Sequence, residues 1–120
     1  MRRIEDALDR HGLRFAQRIL GESEFPVFQA RFGKVRHKGI KYLATRFAAK
    51  EAFSKAIGLG ITVPMTWRRC EVLKKPSGQP YIALHGELKQ WCEQRKLQAH
   101  ISITDETLFA LAFVVVEVTE

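Results

Sequence analysis

The chain is poor in cysteine, and its two cysteines stand far apart. Cys70 and Cys92 form no C-x-x-C pair, and no histidines are clustered beside either of them. Structural zinc sites need closely spaced thiolate and imidazole ligands, so this pattern argues against zinc. We predict that both cysteines are reduced thiols.

Long apolar runs are also missing. No stretch approaches the length of a membrane span, and the first residues lack the apolar core of a signal peptide. Nothing reads as a linker or an internal repeat. With 120 residues and a hydrophobic fraction of 46%, we predict one cytoplasmic domain, residues 1–120, around a single core.

Acidic residues are the scarcer charge. There are 13 of them against 20 lysines and arginines, which gives a formal net charge of +7. A basic domain favours an anionic partner, which could be a nucleic acid, a phosphorylated cofactor or an acidic protein. Charge alone leaves these three open.

Good helix formers without proline run from about Ile40 to Ile57, and Gly58 stands where a left-handed residue would end a helix. At the helical period, Glu51 and Lys55 project from the same side as two alanines, Ala44 and Ala48. One interpretation is a solvated ion pair. The other is a carboxylate and an ammonium flanking a shallow functional site.

The first residues contain regularly spaced arginines. The pattern from Arg3 to Leu20 is helical, with a weak point at His11-Gly12. If the helix is continuous, one basic stripe contains Arg3, Arg10, Arg14 and Arg18. The stripe is either a solvated face or a docking surface for an acidic helix.

A second basic region follows. We predict that Ser23 N-caps a short helix carrying Phe25, Val27 and Phe28. We predict mostly a loop from Arg31 to Lys41. That loop is either a solvated connection or a site for a ribose phosphate or diphosphate.

The second half of the chain predicts strands. Met65 to Leu73 is predicted as a strand with a bulge near Arg68-Arg69, joined by a turn to a strand from Pro80 to Leu84. Glu87 to Gln98 is predicted as an amphipathic packing helix.

The last residues predict two more strands. In the strand from His100 to Asp105, the residues His100, Ser102 and Thr104 share a polar face. Residues 107–118 are predicted to form a buried central strand, whose inward residues are Phe109, Leu111, Phe113, Val115 and Val118.

Several of these segments together resemble one known family. The string Phe47-x-x-Lys50-Glu51-Ala52-x-x-Lys55, preceded by Arg46 and followed by Gly58-x-Gly60-Ile61, closely resembles the signature helix of the phosphopantetheinyl transferases. More narrowly, it looks like the small holo-acyl-carrier-protein synthases. Similar family segments are Arg3-Ile4, Arg14-Phe15-Ala16-x-Arg18-Ile19-Leu20, His100-x-Ser102-x-Thr104 and residues 107–112.

The chain departs from the family pattern in two places. Gly78-Gln79-Pro80 stands where the family has Gly-Lys-Pro, which removes a cation. The family also begins with a strand leading into Gly-x-Asp-x-x-Glu-Ile, whose aspartate is a magnesium ligand, and this chain starts where that segment would end. We expect codons before Met1 to encode such a strand; the alternative is a truly shorter chain.

The resemblance implies an α+β fold with an antiparallel sheet packed around a long central helix, assembled as a homotrimer with sites between subunits. It implies Mg²⁺-dependent transfer of the phosphopantetheine arm of coenzyme A to a serine of apo acyl carrier protein, with release of adenosine 3',5'-bisphosphate, in fatty acid biosynthesis. The implied catalytic residues are Glu51, which is also the metal ligand, Lys55 and His100. The general base stays open between Glu51 and a metal-bound water.

Further residues are implied to bind the two substrates. Those for coenzyme A are Arg46, Lys50, Ser54, Gly58, Gly60, Gly78, Pro80 and Ser102. Those for the carrier protein are Arg3, Arg10, Arg14 and Arg18.

Two other functions are alternatives. One is an impaired synthase homologue that binds carrier protein without catalysing transfer. The other is a basic nucleic-acid-binding domain. The aromatic residues argue against nucleic acid, because they fall in apolar patterns rather than on exposed basic strands: Phe15, Phe47, Phe53, Phe109 and Phe113.

Overall fold

The computed structural model describes residues 2–105 and 110–120. Helices in this part of the chain are α1 (Arg2–His11), α2 (Leu13–Ile19), α3 (Phe25–Lys34), α4 (Arg36–Ala56) and α5 (Gly86–Gln94), with a 3-10 turn at Trp67–Arg69. Strands are β1 (Cys70–Lys74), β2 (Pro80–Leu84), β3 (Leu97–Asp105) and β4 (Ala110–Val118). The predicted α+β class is confirmed.

The described strands form two antiparallel hairpins. β1 pairs with β2, so that Lys74 lies opposite Pro80. β3 pairs with β4, so that His100 lies opposite Val115 and Ser102 opposite Phe113. The long helix α4 packs against β3 and β4 on one side and against α3 on another.

Helix α4 is buried on most sides, which is why it forms the centre of the domain. Its N-terminal half packs with α1, α2 and α3 through apolar residues that include Ile4, Phe28 and Leu43. Its C-terminal half meets a second cluster containing Phe53 and Cys70. Both cysteines are buried and free, as predicted.

The N-terminal half differs from the prediction. The expected continuous helix breaks at Gly12, whose φ of 64° lies in the left-handed region. The predicted basic loop from 31 to 41 is wrong: this segment is helical apart from Val35. Ser23 is not the N-cap, because α3 begins after Glu24 and the carboxylate Oε2 of Glu71 accepts the backbone N–H groups of Ser23 and Glu24.

Local details of the second half also differ. The predicted bulge near Arg68-Arg69 is instead a 3-10 turn that ends where β1 begins. The packing helix ends at Gln94 rather than near Gln98, and Lys96 with a φ of 55° turns the chain into β3.

The last strand presents the opposite face from the one predicted. Phe113 is 67% exposed, and Leu111, Val115 and Val118 are exposed as well. The alternate residues Val114 and Val116 pack against the core, because α4 lies on their side of the hairpin. Phe109 and residues 107–108 lie outside the described residues. Within the described ranges, no helix is both long and apolar enough to cross a bilayer.

Candidate active site

Helix α4 places Glu51 in a shallow cavity with a volume of about 290 Å³. Ala44 and Ala48 form part of its floor, as the helical period predicts, and Ala110 of β4 lines another side. Glu51 is half-buried, and Lys55 stands one turn further along the helix, exposed. The spacing of Glu51 with the two alanines therefore produces a real hollow on the helix surface.

A larger cavity of about 630 Å³ lies between α3, α4 and the β1–β2 turn. The described residues that line it include no aspartate or glutamate. Six of them are cationic: Arg31, Lys34, Lys38, Lys41, Arg46 and Lys74. Gly78 and Pro80 also line it, so the structure brings three predicted cofactor-binding residues together here. Such a lining favours an anionic ligand.

Arg46 is the most enclosed cation of this cavity, with 5% of its surface exposed. Its Nη1 donates to Oγ1 of Thr45 at 3.0 Å, and its guanidinium carbon lies 4.0 Å from the ring centroid of Tyr42. Its Nε is buried and has no hydrogen-bond partner among the described residues. Burial lowers the pKa of Arg46. Arg46 therefore lines an anion-favouring cavity, while its Nε donor is enclosed by the protein.

Lys50 lies outside both cavities. Its side chain is fully buried, and Nζ donates to Oε1 of Glu24 at 2.5 Å and to the carbonyl oxygens of Ile19 at 2.6 Å and Trp67 at 3.0 Å. An ammonium has three N–H donors, and all three are engaged. The prediction that Lys50 binds the nucleotide is therefore wrong, because this lysine joins parts of the core. Burial lowers its pKa, and Glu24 opposes that shift.

The end of α4 contains the remaining predicted residues of the signature. Ser54 is buried, and its hydroxyl donates to the carbonyl of Glu51 at 2.7 Å, so the side chain is used inside the helix. This environment does not fit the predicted cofactor contact of Ser54. Gly58 has a φ of 84° and ends the helix as predicted, and Gly60 has a φ of 61°. Ligand contacts by the two glycines stay predictions.

His100 and Ser102 lie on the exposed face of the β3–β4 hairpin. Nε2 of His100 is 3.0 Å from Oε1 of Glu117. Glu51 lies with Ala110 on the other side of the hairpin, where α4 packs. A single subunit therefore does not bring His100 and Glu51 together.

The arginine stripe is divided. A cavity of about 400 Å³ is lined by Arg10, Arg14 and Arg18, together with Phe15. Arg3 instead lines the Glu51 cavity, about two helical turns before Arg10 on α1. Three of the four predicted docking residues thus share a surface.

Sequence reasoning did not single out two residues of the cationic cavity, namely Tyr42 and Lys74. Arg31 belongs to the basic segment for which a phosphate site was one interpretation. Tyr42 gave no usable signal, since a tyrosine in a helix is usually a packing residue. Lys74 could have been found from its position at the end of the strand before the turn.

Comparison with known proteins identifies the family. The family profile of the 4'-phosphopantetheinyl transferase superfamily, ACPS, matches residues 1–114. A holo-[acyl-carrier-protein] synthase of Delftia acidovorans is 57% identical over 117 residues, which cover 98% of this chain and 89% of the relative. One from Leptothrix cholodnii is 61% identical with the same coverage. The chain belongs to the holo-acyl-carrier-protein synthases of this superfamily.

Solved structures of holo-acyl-carrier-protein synthases share the fold. The Neisseria meningitidis enzyme has a TM-score of 0.87 and 36% identity, with 97% of this chain and 90% of that one covered. The Helicobacter pylori enzyme, solved in complex with coenzyme A, has a TM-score of 0.77 and 30% identity, with coverages of 96% and 91%. The resemblance read from the signature helix is confirmed.

Glu51 is the candidate metal ligand of the smaller cavity. The described residues contain no group of three or more histidine, cysteine, aspartate or glutamate side chains that could hold an ion. Glu51 is the one carboxylate in the described lining of its cavity. Mg²⁺ is commonly held by one or two carboxylates together with substrate phosphates and water. Glu51 would therefore supply one ligand of such an ion, and the other ligands would have to come from outside the described lining.

Proposed function

We propose that this chain transfers the phosphopantetheine arm of coenzyme A to a serine of an apo acyl carrier protein, in a magnesium-dependent reaction that releases adenosine 3',5'-bisphosphate. One observation carries the proposal: in a member of this family, α4 presents both a half-buried carboxylate in a hollow and an arginine in a cavity lined by cations. The family resemblance supports metal and diphosphate chemistry at the first and nucleotide binding at the second. The relative from Helicobacter pylori, solved with coenzyme A, supports the choice of substrate.

The reaction needs mainly charge stabilisation. The serine oxygen gives its proton to a base, for which Glu51 and a water are the candidates, and forms a bond to the phosphorus that carries the pantetheine arm. The bond from that phosphorus to the bridging oxygen breaks. The bridging oxygen leaves with the nucleotide and takes the electron pair. Magnesium, bound by Glu51 and the diphosphate, would supply neutralising positive charge there.

Residues of the chain supply the remaining functions. Lys55 offers an exposed ammonium one helical turn from Glu51, where it would neutralise the diphosphate. Arg46, which lines the cationic cavity, would hold the nucleotide end. Both groups are on the rigid central helix, which keeps them in register with Glu51.

The complete site requires a second subunit in this proposal. The exposed face of the β3–β4 hairpin places apolar Leu111, Phe113 and Val115 beside His100 and Ser102. Contiguous exposed apolar surface is typical of a protein interface. We propose that this face is covered in a homotrimer, where His100 from one subunit reaches the Glu51 cavity of the next.

The carrier protein would dock on the cavity lined by Arg10, Arg14 and Arg18. Three guanidinium groups on one surface favour a partner rich in carboxylates, and such complementarity speeds association. Phe15 adds an apolar contact at the same place.

The direct test is a transfer assay on the purified chain with coenzyme A, Mg²⁺ and apo acyl carrier protein. We expect the intact mass of the carrier protein to increase by one phosphopantetheine group, with release of one adenosine 3',5'-bisphosphate for each group transferred. Binding of the carrier protein without transfer would instead identify an impaired homologue. Failure of both would contradict the proposal.

A further inference from the structure

Tyr42 contacts two arginines at the cationic cavity. The guanidinium carbon of Arg46 lies over its ring at 4.0 Å from the centroid, and that of Arg31 lies over it at 4.9 Å. Arg46 comes from the next turn of α4 and Arg31 from α3. Both distances are within the range of about 6 Å in which a guanidinium is attracted to an aromatic face. One side chain thus gathers two cations from different helices.

The ring itself is held by the core. Tyr42 is 4% exposed, and its carbonyl oxygen accepts a hydrogen bond from Oγ1 of Thr45. The same Oγ1 accepts a hydrogen bond from Nη1 of Arg46. Burial raises the pKa of Tyr42 to about 12, so the phenol stays neutral at physiological pH. Tyr42 can therefore position the two guanidinium groups, but it cannot neutralise them.

The two arginines need an anion to balance them. The described residues that line the cavity include no carboxylate. A ligand with phosphate oxygens would accept hydrogen bonds from the guanidinium groups and offset the repulsion between the cations.

We propose that Tyr42 is a positioning residue, which holds Arg31 and Arg46 as a pair for the phosphate monoester at the nucleotide end of coenzyme A. This inference rests on the proposed function. A monoester bears between one and a half and two negative charges at neutral pH, about twice the charge of each phosphate in the internal diphosphate. Arginine forks also match phosphate oxygens in pairs. Two adjacent guanidinium groups therefore favour the monoester.

Equilibrium binding of two ligands tests this assignment without carrier protein or metal. Coenzyme A has the monoester, and dephospho-coenzyme A lacks it. By calorimetry we expect Tyr42→Leu to weaken coenzyme A binding by roughly tenfold and to leave dephospho-coenzyme A binding nearly unchanged. Tyr42→Phe should retain the wild-type preference, because the ring face remains. The matched control is Tyr81→Leu, which changes the other tyrosine, on β2, away from the cavity lining.

Two further readouts separate positioning from damage to the fold. In the transfer assay, Tyr42→Leu should raise KM for coenzyme A and leave kcat unchanged. Arg31→Gln changes an exposed residue and should reduce the preference for coenzyme A without touching the core. The double variant Arg31→Gln/Tyr42→Leu should lose less coenzyme A affinity than the product of the two single fold-losses. The reason is that the position of Arg31 depends on the ring.

Several outcomes would overturn the inference. The first is an equal loss of affinity for coenzyme A and dephospho-coenzyme A in Tyr42→Leu. The second is a lost preference for coenzyme A in Tyr42→Phe, and the third is an unchanged preference for coenzyme A in Arg31→Gln. If Tyr42→Leu does not fold, an unchanged preference in Arg31→Gln or a lost preference in Tyr42→Phe would still overturn the inference. Selective binding of coenzyme A without any transfer would refute the proposed function and leave the role of Tyr42 standing, whereas no binding of either ligand would refute both.

Discussion

The ammonium of Lys50 lies 2.5 Å from Oε1 of Glu24, and neither side chain is exposed to solvent. The same carboxylate accepts the backbone N–H of Gly21 at 2.9 Å through Oε1 and that of Val72 at 2.7 Å through Oε2. The pair therefore connects α4 to the start of α3 and to β1. Removing one partner would leave a buried charge without compensation.

We predict that Lys50→Met destabilises the protein by about 3–5 kcal/mol. The lost ammonium leaves Glu24 charged and buried beside two carbonyl oxygens that also lose their donor. Urea unfolding of the variant measures the effect, and Lys89→Met, at an exposed position of α5, is the matched control. Lys50→Met with Glu24→Gln should lose less than the sum of the single changes. Unchanged stability together with a higher KM for coenzyme A would contradict this core role and would indicate that Lys50 binds the nucleotide.

Local sequence was sufficient for elements whose determinants are close in the chain. The central helix follows from its helix formers and from Gly58, and the hollow at Glu51 follows from the two alanines on the same face. The family motif then identified Glu51, Lys55 and Arg46 as candidates.

Features that depend on distant residues could not be read in this way. The backbone N–H groups of Ser23 and Glu24, just before α3, donate to Glu71, which lies 48 residues beyond Ser23, so the local sequence predicted the wrong N-cap. Lys50 has the same local pattern as a ligand-binding lysine. Only its tertiary hydrogen bonds to Glu24 and Trp67 show that it is a core residue. The inward face of β4 depends on which side α4 occupies, and strand alternation does not determine that.

The magnesium titration of Glu51→Gln tests the proposed metal ligand. The carboxamide keeps the shape of the side chain but loses its negative charge, so we expect transfer to fall by roughly 100-fold or more at every magnesium concentration. Glu93→Gln, an exposed change on α5, should behave like the wild type. Thermal melting checks that the fold is intact. Full turnover of Glu51→Gln over the same titration would remove this residue from the site.

A charge reversal tests the docking surface. Arg14→Glu should raise KM for apo carrier protein by roughly tenfold, because it introduces repulsion at an acidic interface. The affinity for coenzyme A should hardly change. Lys89→Glu provides an exposed control elsewhere on the surface. Equal losses for the two substrates would show that the Arg10, Arg14 and Arg18 cavity is not a dedicated docking site.

Thiol reactivity tests the packing of the second core cluster. Burial raises the pKa of Cys70 to about 12, so at pH 8 almost none of this group is the nucleophilic thiolate. The native protein should therefore resist alkylation of Cys70 by iodoacetamide, while the urea-unfolded protein reacts at both cysteines. Peptide mass spectrometry gives the extent of alkylation at each cysteine. Rapid modification of Cys70 in the native state would contradict the described packing.

The proposed sharing of the site between subunits is tested most directly by mixing two variants that are each expected to be inactive. Glu51→Gln retains His100, and His100→Ala retains Glu51, so neither homotrimer would contain a complete site. If the two variants are unfolded together and refolded as mixed assemblies, random association should restore about one quarter of the wild-type sites. Transfer activity near that fraction is the predicted result. Activity of the mixture no greater than that of the separate variants, with mixed assemblies confirmed by native mass spectrometry, would contradict a site built from Glu51 and His100 of neighbouring subunits.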